Sequence, residues 1–355
     1  MINSSPVFAA AHGALTWERQ ADLPDPVGLK GMYAGVSQGW VILAGGSNFP
    51  VPRQQGGVKT YAREILVRRA EAPADAPWKR VAPGLPEGLA EGASVTTEHG
   101  VVIVGGCDAR GPVNTVALLR WDESAGNVQR LPLPALPRAL TSVAAAYCRG
   151  LLYVAGGDNG AGGTKDFFAL NLAAALAGGA AGAWRDLTTW SGPARFGAAL
   201  AALGPVGRER LFLFGGKIGS SSPAGQANYL ADGHVFDPET AQWSTVAAMP
   251  RQALLAAVLP LTASTLAVCG GSDGHDLARM AELGERYRLP DGIMIYHADT
   301  DRWEHAGQMP LGVAGAATVT LADRWLVIGG EPTPGLRTAQ VQAARLVAAK
   351  AESSP

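Results

Sequence analysis

The sequence predicts an all-β fold, a six-bladed β-propeller whose ring is closed by its own N-terminal strand. Three observations carry this. A double glycine ends an apolar run six times, at 45–46, 105–106, 156–157, 215–216, 270–271 and 329–330. Successive second glycines lie 60, 51, 59, 55 and 59 residues apart, a period that marks a repeat array rather than a chain cut into two or three ordinary domains. The 46 glycines and 24 prolines fall largely between short apolar runs, as in turn-rich β proteins. One domain of residues 1–355 is therefore expected.

Each unit repeats its parts in order. The runs "VILAGG", "VVIVGG", "LLYVAGG", "LFLFGG", "LAVCGG" and "WLVIGG" read as buried strands ending in a turn that a Cβ would obstruct. About 20 residues later comes a second β-like run: "REILVRR", "TVALLRWD", "FFALNL", "GHVFDPET" and "GIMIYHADTD". A Trp-centred strand follows, around Trp78, Trp184, Trp243 and Trp303; the indole should fill the wide outer part of a blade with its N–H near the rim. A small-residue strand then leads to the next double glycine. Four strands per unit, six times over, is a propeller. The second unit has Val128 in place of the Trp and should pack less well there. The sixth unit lacks a Trp strand after Gly330, and residues 14–20, "ALTWERQ", supply one. That strand should pair into the last blade and remove the open seam.

Bulk properties exclude several classes. A net charge of −1 offers no global field for nucleic acid or an anionic membrane. Cys107, Cys148 and Cys269 have no zinc-ligand spacing, and free cysteines beside apolar runs pack as small hydrophobes. No apolar run reaches a membrane-spanning length. The N-terminus has no Lys or Arg before its short apolar patch and makes a poor signal peptide, which favours a cytoplasmic protein over a periplasmic one. No oligomeric state is legible.

Double glycines, a later aromatic and a Trp at intervals near 50 residues resemble kelch repeats. A closer resemblance begins in the fifth unit. The stretch 270–341, with "GVAGAA" at 312–317 and "GEPTPGLRT" at 330–338, is similar to the N-acetylneuraminate epimerase family, the sialic acid mutarotases. "AGGSNFPVPRQQG" at 44–56 resembles another segment of that family, placed here near the N-terminus as in its cyclically permuted members. The resemblance implies an isomerase that interconverts anomers of N-acetylneuraminate or a related acidic sugar, with Glu331 as catalytic carboxylate and Arg337 as carboxylate-binding arginine. Such ring opening and reclosure needs no cofactor and no metal. The alternative is a non-catalytic kelch module that binds protein or sugar.

Comparing the units with one another sharpens the candidates. After the double glycines stand Ser47, Cys107, Asp158, Lys217, Ser272 and Glu331. The type varies while the glycines recur, so these positions should begin loops at one face of the channel. Two prolines and a glycine stiffen the loop from Glu331 to Arg337. Arg337 could pair with Glu331 or form a two-bond fork to a ligand carboxylate. Arg138, Arg195 and Arg251 recur before small-residue strands, which fits either a structural role or a cationic mouth. Asn48 and Asp158 are weaker substrate-binding candidates, residue types that commonly form turns. Residues 274–292 space Leu277, Met280, Leu283 and Tyr287 as a helix would. They predict a short helical insertion, over the channel mouth or against the blade's side, with His275 at its start as a possible acid/base.

Overall fold

Each apolar run before a double glycine becomes the second strand of a four-stranded antiparallel sheet. A computed structural model describes residues 15–178, 183–219 and 228–346 of the chain. Residues 1–14, on which the leader and compartment expectations rest, lie outside them. Blade 1 is Tyr33–Ser37, Trp40–Ala44, Ile65–Arg69 and Lys79–Val81. Blade 2 is Ala93–Thr97, Gly100–Val104, Val116–Asp122 and Asn127–Pro132. Blades 3, 4 and 5 begin with Ala144–Cys148, Ala199–Leu203 and Ala257–Pro260. Blade 6 takes Ala317–Thr320, Trp325–Ile328 and Val341–Leu346 from the C-terminal end of the chain and Leu15–Gln20 from its N-terminal end. Leu15 pairs with Leu346 and Gln20 with Val341, so the ring is closed as expected.

The core follows from this wheel. Six hydrophobic clusters lie between consecutive blades, one per junction. The junction of blades 4 and 5 holds Phe212, Phe214, Val268, Met294 and Tyr296, all nearly inaccessible to water. Fully burying a side chain of this size stabilises the fold by roughly 1.5–3 kcal/mol. The indoles bond across the same junctions. Trp78 donates to Ala21 O, Trp184 to Pro134 O, Trp243 to Thr188 O and Trp303 to Ala247 O, at 2.8–3.2 Å. In each case the acceptor lies on chain leaving the preceding blade.

Blade 2 departs from the sequence expectation. Val128 is paired with Trp121 on the neighbouring strand, and Trp121 is buried with its ring centroid 4.3 Å from that of Trp40. The large side chain has changed strands, so the place of the missing Trp is filled. A second difference is a helix, Leu172–Leu176, after the third strand of blade 3. Its N-cap Asn171 accepts a bond from Ala174 N, and a run of alanines and leucines suits it.

The axis is organised by the backbone. The residues that open the inner strands are Gly31, Glu91, Ser142, Gly197, Leu255 and Gly315, all in the left-handed region with φ between 50° and 68°. Their amides form a closed cycle. Gly31 N donates to Gly315 O, Gly315 to Leu255, Leu255 to Gly197, Gly197 to Ser142, Ser142 to Glu91 and Glu91 back to Gly31, at 2.6–2.8 Å. Six blades are thus tied by six bonds at the innermost radius. Left-handed backbone is costless only for glycine; Glu91, Ser142 and Leu255 each carry strain on the order of 1–2 kcal/mol.

Candidate functional site

The residue preceding each ring position pairs with the residue after a double glycine. The pairs are Lys30 with Ser47, Ala90 with Cys107, Thr141 with Asp158, Phe196 with Lys217, Leu254 with Ser272 and Ala314 with Glu331. The fold therefore carries the six variable positions to the channel, next to the amide ring. The channel beyond that ring is lined largely by small residues, among them Ala34, Thr96, Ala145, Ala202 and Thr318, with a volume of about 430 Å³.

Blades 6, 1 and 2 contribute the charges. Arg337 Nη1 donates to Glu331 Oε2, and Lys30 Nζ lies 3.2 Å from the same oxygen. Arg337 Nε donates to Ser47 O at 3.3 Å, and the guanidinium lies 5.0 Å over the Phe49 ring. Sequence left two options for Arg337, and the structure shows the ion pair with Glu331. The Arg337 side chain is 3% exposed, whereas the Glu331 and Lys30 side chains are 13% and 15% exposed. Glu331 and Lys30 are the more exposed members, and Arg337 braces the carboxylate.

A second carboxylate stands beside this pair. Glu91 accepts from Lys59 Nζ at 2.7 Å, and the Cys107 thiol is 3.6 Å from its other oxygen. Burial raises the Glu91 pKa, but Lys30, Lys59 and Arg337 outweigh it and hold the carboxyl at about 2. Burial pushes the Cys107 thiol and the Tyr61 hydroxyl up, each helped by the Glu91 charge. The room for Glu91 comes from glycine. A Cβ on Gly31 would sit 2.7 Å from Glu91 Cγ, and one on Gly315 would sit 2.7 Å from Lys30 Cε. Two ring glycines thus let the acidic and basic side chains lie flat across the amide ring.

The rest of the mouth is apolar. Phe196, Tyr229 and Leu254 pack together, with Leu255 against them. Residues 277–286 form three short helical turns, and Leu277, Met280 and Leu283 pack with Tyr287, Leu289, Ala314 and Leu255. Ala314 and Leu255 belong to the channel end, so the insertion covers the mouth. Thr333 bonds Tyr287 O, and Leu289 N bonds Pro332 O, joining the insertion to the Glu331 loop. His275 is exposed and pairs with Asp276.

The remaining sequence candidates are not brought to the charged cluster. Arg195 is fully buried and bonds Gly215 O and both oxygens of Asp232, with His234 alongside. Arg251 bonds Gly270 O. Both tie down the backbone at a double glycine, which is the structural option left open by their recurrence. Arg138 pairs with Asp166 and lies over Phe168. Asn48 is buried; it donates to Asp25 and accepts from Thr60, pinning the hairpin that delivers Lys59. Asp158 is buried and accepts from Gly160 N, a local turn.

Lys30, Lys59 and Glu91 were missed by the sequence reading. A signal existed for Glu91. Gly31, Glu91, Ser142 and Gly315 each lie fourteen residues before a first glycine, at 45, 105, 156 and 329. A glutamate stands where two sister units have glycine. Among the described residues no group of three or more His, Cys, Asp or Glu is placed to hold a metal ion, and no helix is long and apolar enough to cross a membrane.

Comparisons with known proteins bear on this geometry. The family model for N-acetylneuraminate epimerase matches residues 6–128, and the kelch motif matches residues 202–250. The first match contains the 44–56 segment but not the stretch 270–341. An N-acetylneuraminate epimerase of Yersinia pestis (strain Pestoides F) is 29% identical over 182 residues, 44% of this chain and 45% of that protein. One from Yersinia enterocolitica is 28% identical over 186 residues, 46% of each chain. One from Brucella suis is 36% identical over 129 residues, 33% of each. The matches span less than half the length of these curated relatives. The chain is a six-bladed kelch-type propeller with partial similarity to N-acetylneuraminate epimerases.

Proposed function

We propose that the chain is a mutarotase that interconverts the anomers of N-acetylneuraminate or a related acidic sugar. The observation that supports this most is the Glu331–Arg337–Lys30 cluster at the mouth of a propeller similar to those epimerases. Glu331 takes the proton of the anomeric hydroxyl, the ring opens to the keto form, and rotation followed by reclosure gives the other anomer. A positioned acid/base group is typically worth about 10²–10⁴ in rate. The described bonds of Arg337 use Nε and Nη1, leaving Nη2 for the sugar's carboxylate. Lys59, 27% exposed, adds a second positive charge for it. Anchoring the carboxylate orients the anomeric carbon against Glu331. The apolar side of the mouth, around Leu255 and Tyr287, suits the C–H and acetyl surfaces of such a sugar. The test is NMR exchange spectroscopy of N-acetylneuraminate anomers with and without protein, then with related acidic sugars.

Exposed Val51, Val58 and Leu336 on the flanking loops support a second reading, a kelch module whose loop face binds a partner without turnover. The same experiment separates the two, since that module would leave the exchange rate unchanged.

A further inference from the structure

We propose that Lys30 is the general acid of the site, acting as a matched pair with Glu331. This rests on the mutarotase reading. Opening the ring needs two proton movements, one away from the anomeric hydroxyl and one onto the ring oxygen. Glu331 accounts for the first. The donor for the second must reach the same sugar atoms and then be recharged.

Lys30 meets both conditions. Its Nζ lies 3.2 Å from Glu331 Oε2, and it lines the channel beside Glu91. Its backbone is fixed by two bonds with Ser47, at 2.9 and 3.0 Å, and its stem lies over Gly315. The other candidates fit less well. Arg337 does not give up a proton in proteins. Glu91 is held ionised by its three cations, and the Tyr61 hydroxyl is pushed up, first by burial. The Lys59 ammonium is engaged by Glu91, 2.7 Å away.

The proton inventory closes. Glu331 takes the anomeric hydroxyl proton, and that O–H electron pair becomes the carbonyl π bond. The bond from the anomeric carbon to the ring oxygen breaks with its electrons on oxygen. Oxygen takes a proton from Lys30 Nζ, leaving a neutral amine. The protonated Glu331 then returns its proton to that amine. One proton has moved from hydroxyl to ring oxygen, nothing is oxidised or reduced, and reclosure on the opposite carbonyl face is the same sequence reversed. The charges facing Lys30 are Glu331 from blade 6, Glu91 from the entry to blade 2, Arg337 from the Glu331 loop and Lys59 from the blade 1 hairpin.

The experiment compares the full-length wild type with Lys30→Arg and Lys30→Gln, measuring kcat, KM and the pH profile of kcat for N-acetylneuraminate. Arginine keeps the charge opposite Glu331 and the stem over Gly315, so Lys30→Arg folds, but it cannot release a proton. The expected result is a fall in kcat of roughly 10²-fold or more in both variants, with KM nearly unchanged in Lys30→Arg. An alkaline fall of kcat is expected in the wild type and should be absent in Lys30→Arg. A Lys30→Arg protein with wild-type kcat, or with the alkaline limb intact, overturns the inference and reduces Lys30 to a fixed charge. A wild type that leaves anomer exchange unchanged overturns the underlying reading instead.

Discussion

Two halves of one mouth rest on the same amide ring and differ in almost every side chain. Blades 6, 1 and 2 present Glu331, Lys30, Lys59 and Glu91, all partly open to water. Blades 4 and 5 present Phe196, Leu254 and Leu255, with Tyr229 and the helical insertion packed over them. Lys217 in that half lies 5.3 Å from the Tyr229 ring, and burial lowers its pKa. The backbone is close to sixfold while the chemistry is confined to one side. The repeat builds a rigid floor, and departures from the repeat build the site. Under the proposed function, the opposite charges held close together on that floor are placed for proton transfer, and the apolar wall facing them would orient the sugar.

Perturbing the floor should do most damage. Gly31→Ala places a Cβ 2.7 Å from both Glu91 Cγ and Glu91 N at a φ of 68°. A clash added to left-handed strain is expected to cost on the order of 3 kcal/mol or more. It should also displace Glu91, so anomer exchange per folded molecule should fall; urea unfolding and exchange rates check the two effects. In the apolar half, Leu254→Ala should cost about 2–4 kcal/mol, as buried leucine truncations do. The folded fraction should keep its kcat while KM rises, because the wall orients the ligand without taking part in proton transfer, the reverse of what Lys30→Arg does.

A smaller effect is tied to pH. The Glu91 carboxyl has an ordinary value of 4.5 and is held at about 2 in the fold. A depressed pKa favours the folded state above the unfolded value, and the gain disappears as pH falls from about 4.5 to about 2. Glu91→Gln should therefore be less stable than wild type by a few kcal/mol at pH 7, and the gap should close near pH 2. Urea midpoints at pH 7, 4 and 2.5 test this; a constant gap would show that the three cations do not act on Glu91. Smallest of all, Ser142→Gly relieves left-handed strain at φ 50° but adds chain entropy to the unfolded state. The two terms are each about 1 kcal/mol or less and oppose each other, so melting should barely move.

The propeller was readable because its signals are local and repeated. Six double glycines share nearly the same pair of positive φ values, and the displaced "ALTWERQ" segment pointed to the closing strand. Trp121 shows the limit: volume can be restored from the opposite strand of a hairpin, and a one-position comparison misses it. Glu331 and Arg337 were legible as neighbours because they share one short loop, while the roles proposed for them came from the family resemblance. Lys30, Lys59 and Glu91 come from three other segments, and only the ring of amides brings them to Glu331. Arg195 is the converse case, which recurrence left open between a structural role and a cationic mouth. It recurs near a channel strand, yet Asp232 and the Gly215 carbonyl absorb its donors, a partnership that distant sequence positions do not disclose.

The most direct test of the account compares wild type with Glu331→Gln in NMR exchange spectroscopy of N-acetylneuraminate anomers. Catalytic amounts of wild type should speed the exchange, and the variant should lose about 10²-fold or more of that acceleration while remaining folded. An exchange rate untouched by the wild type, or accelerated equally by both proteins, would contradict the assignment of the charged half of the mouth as an acid–base site.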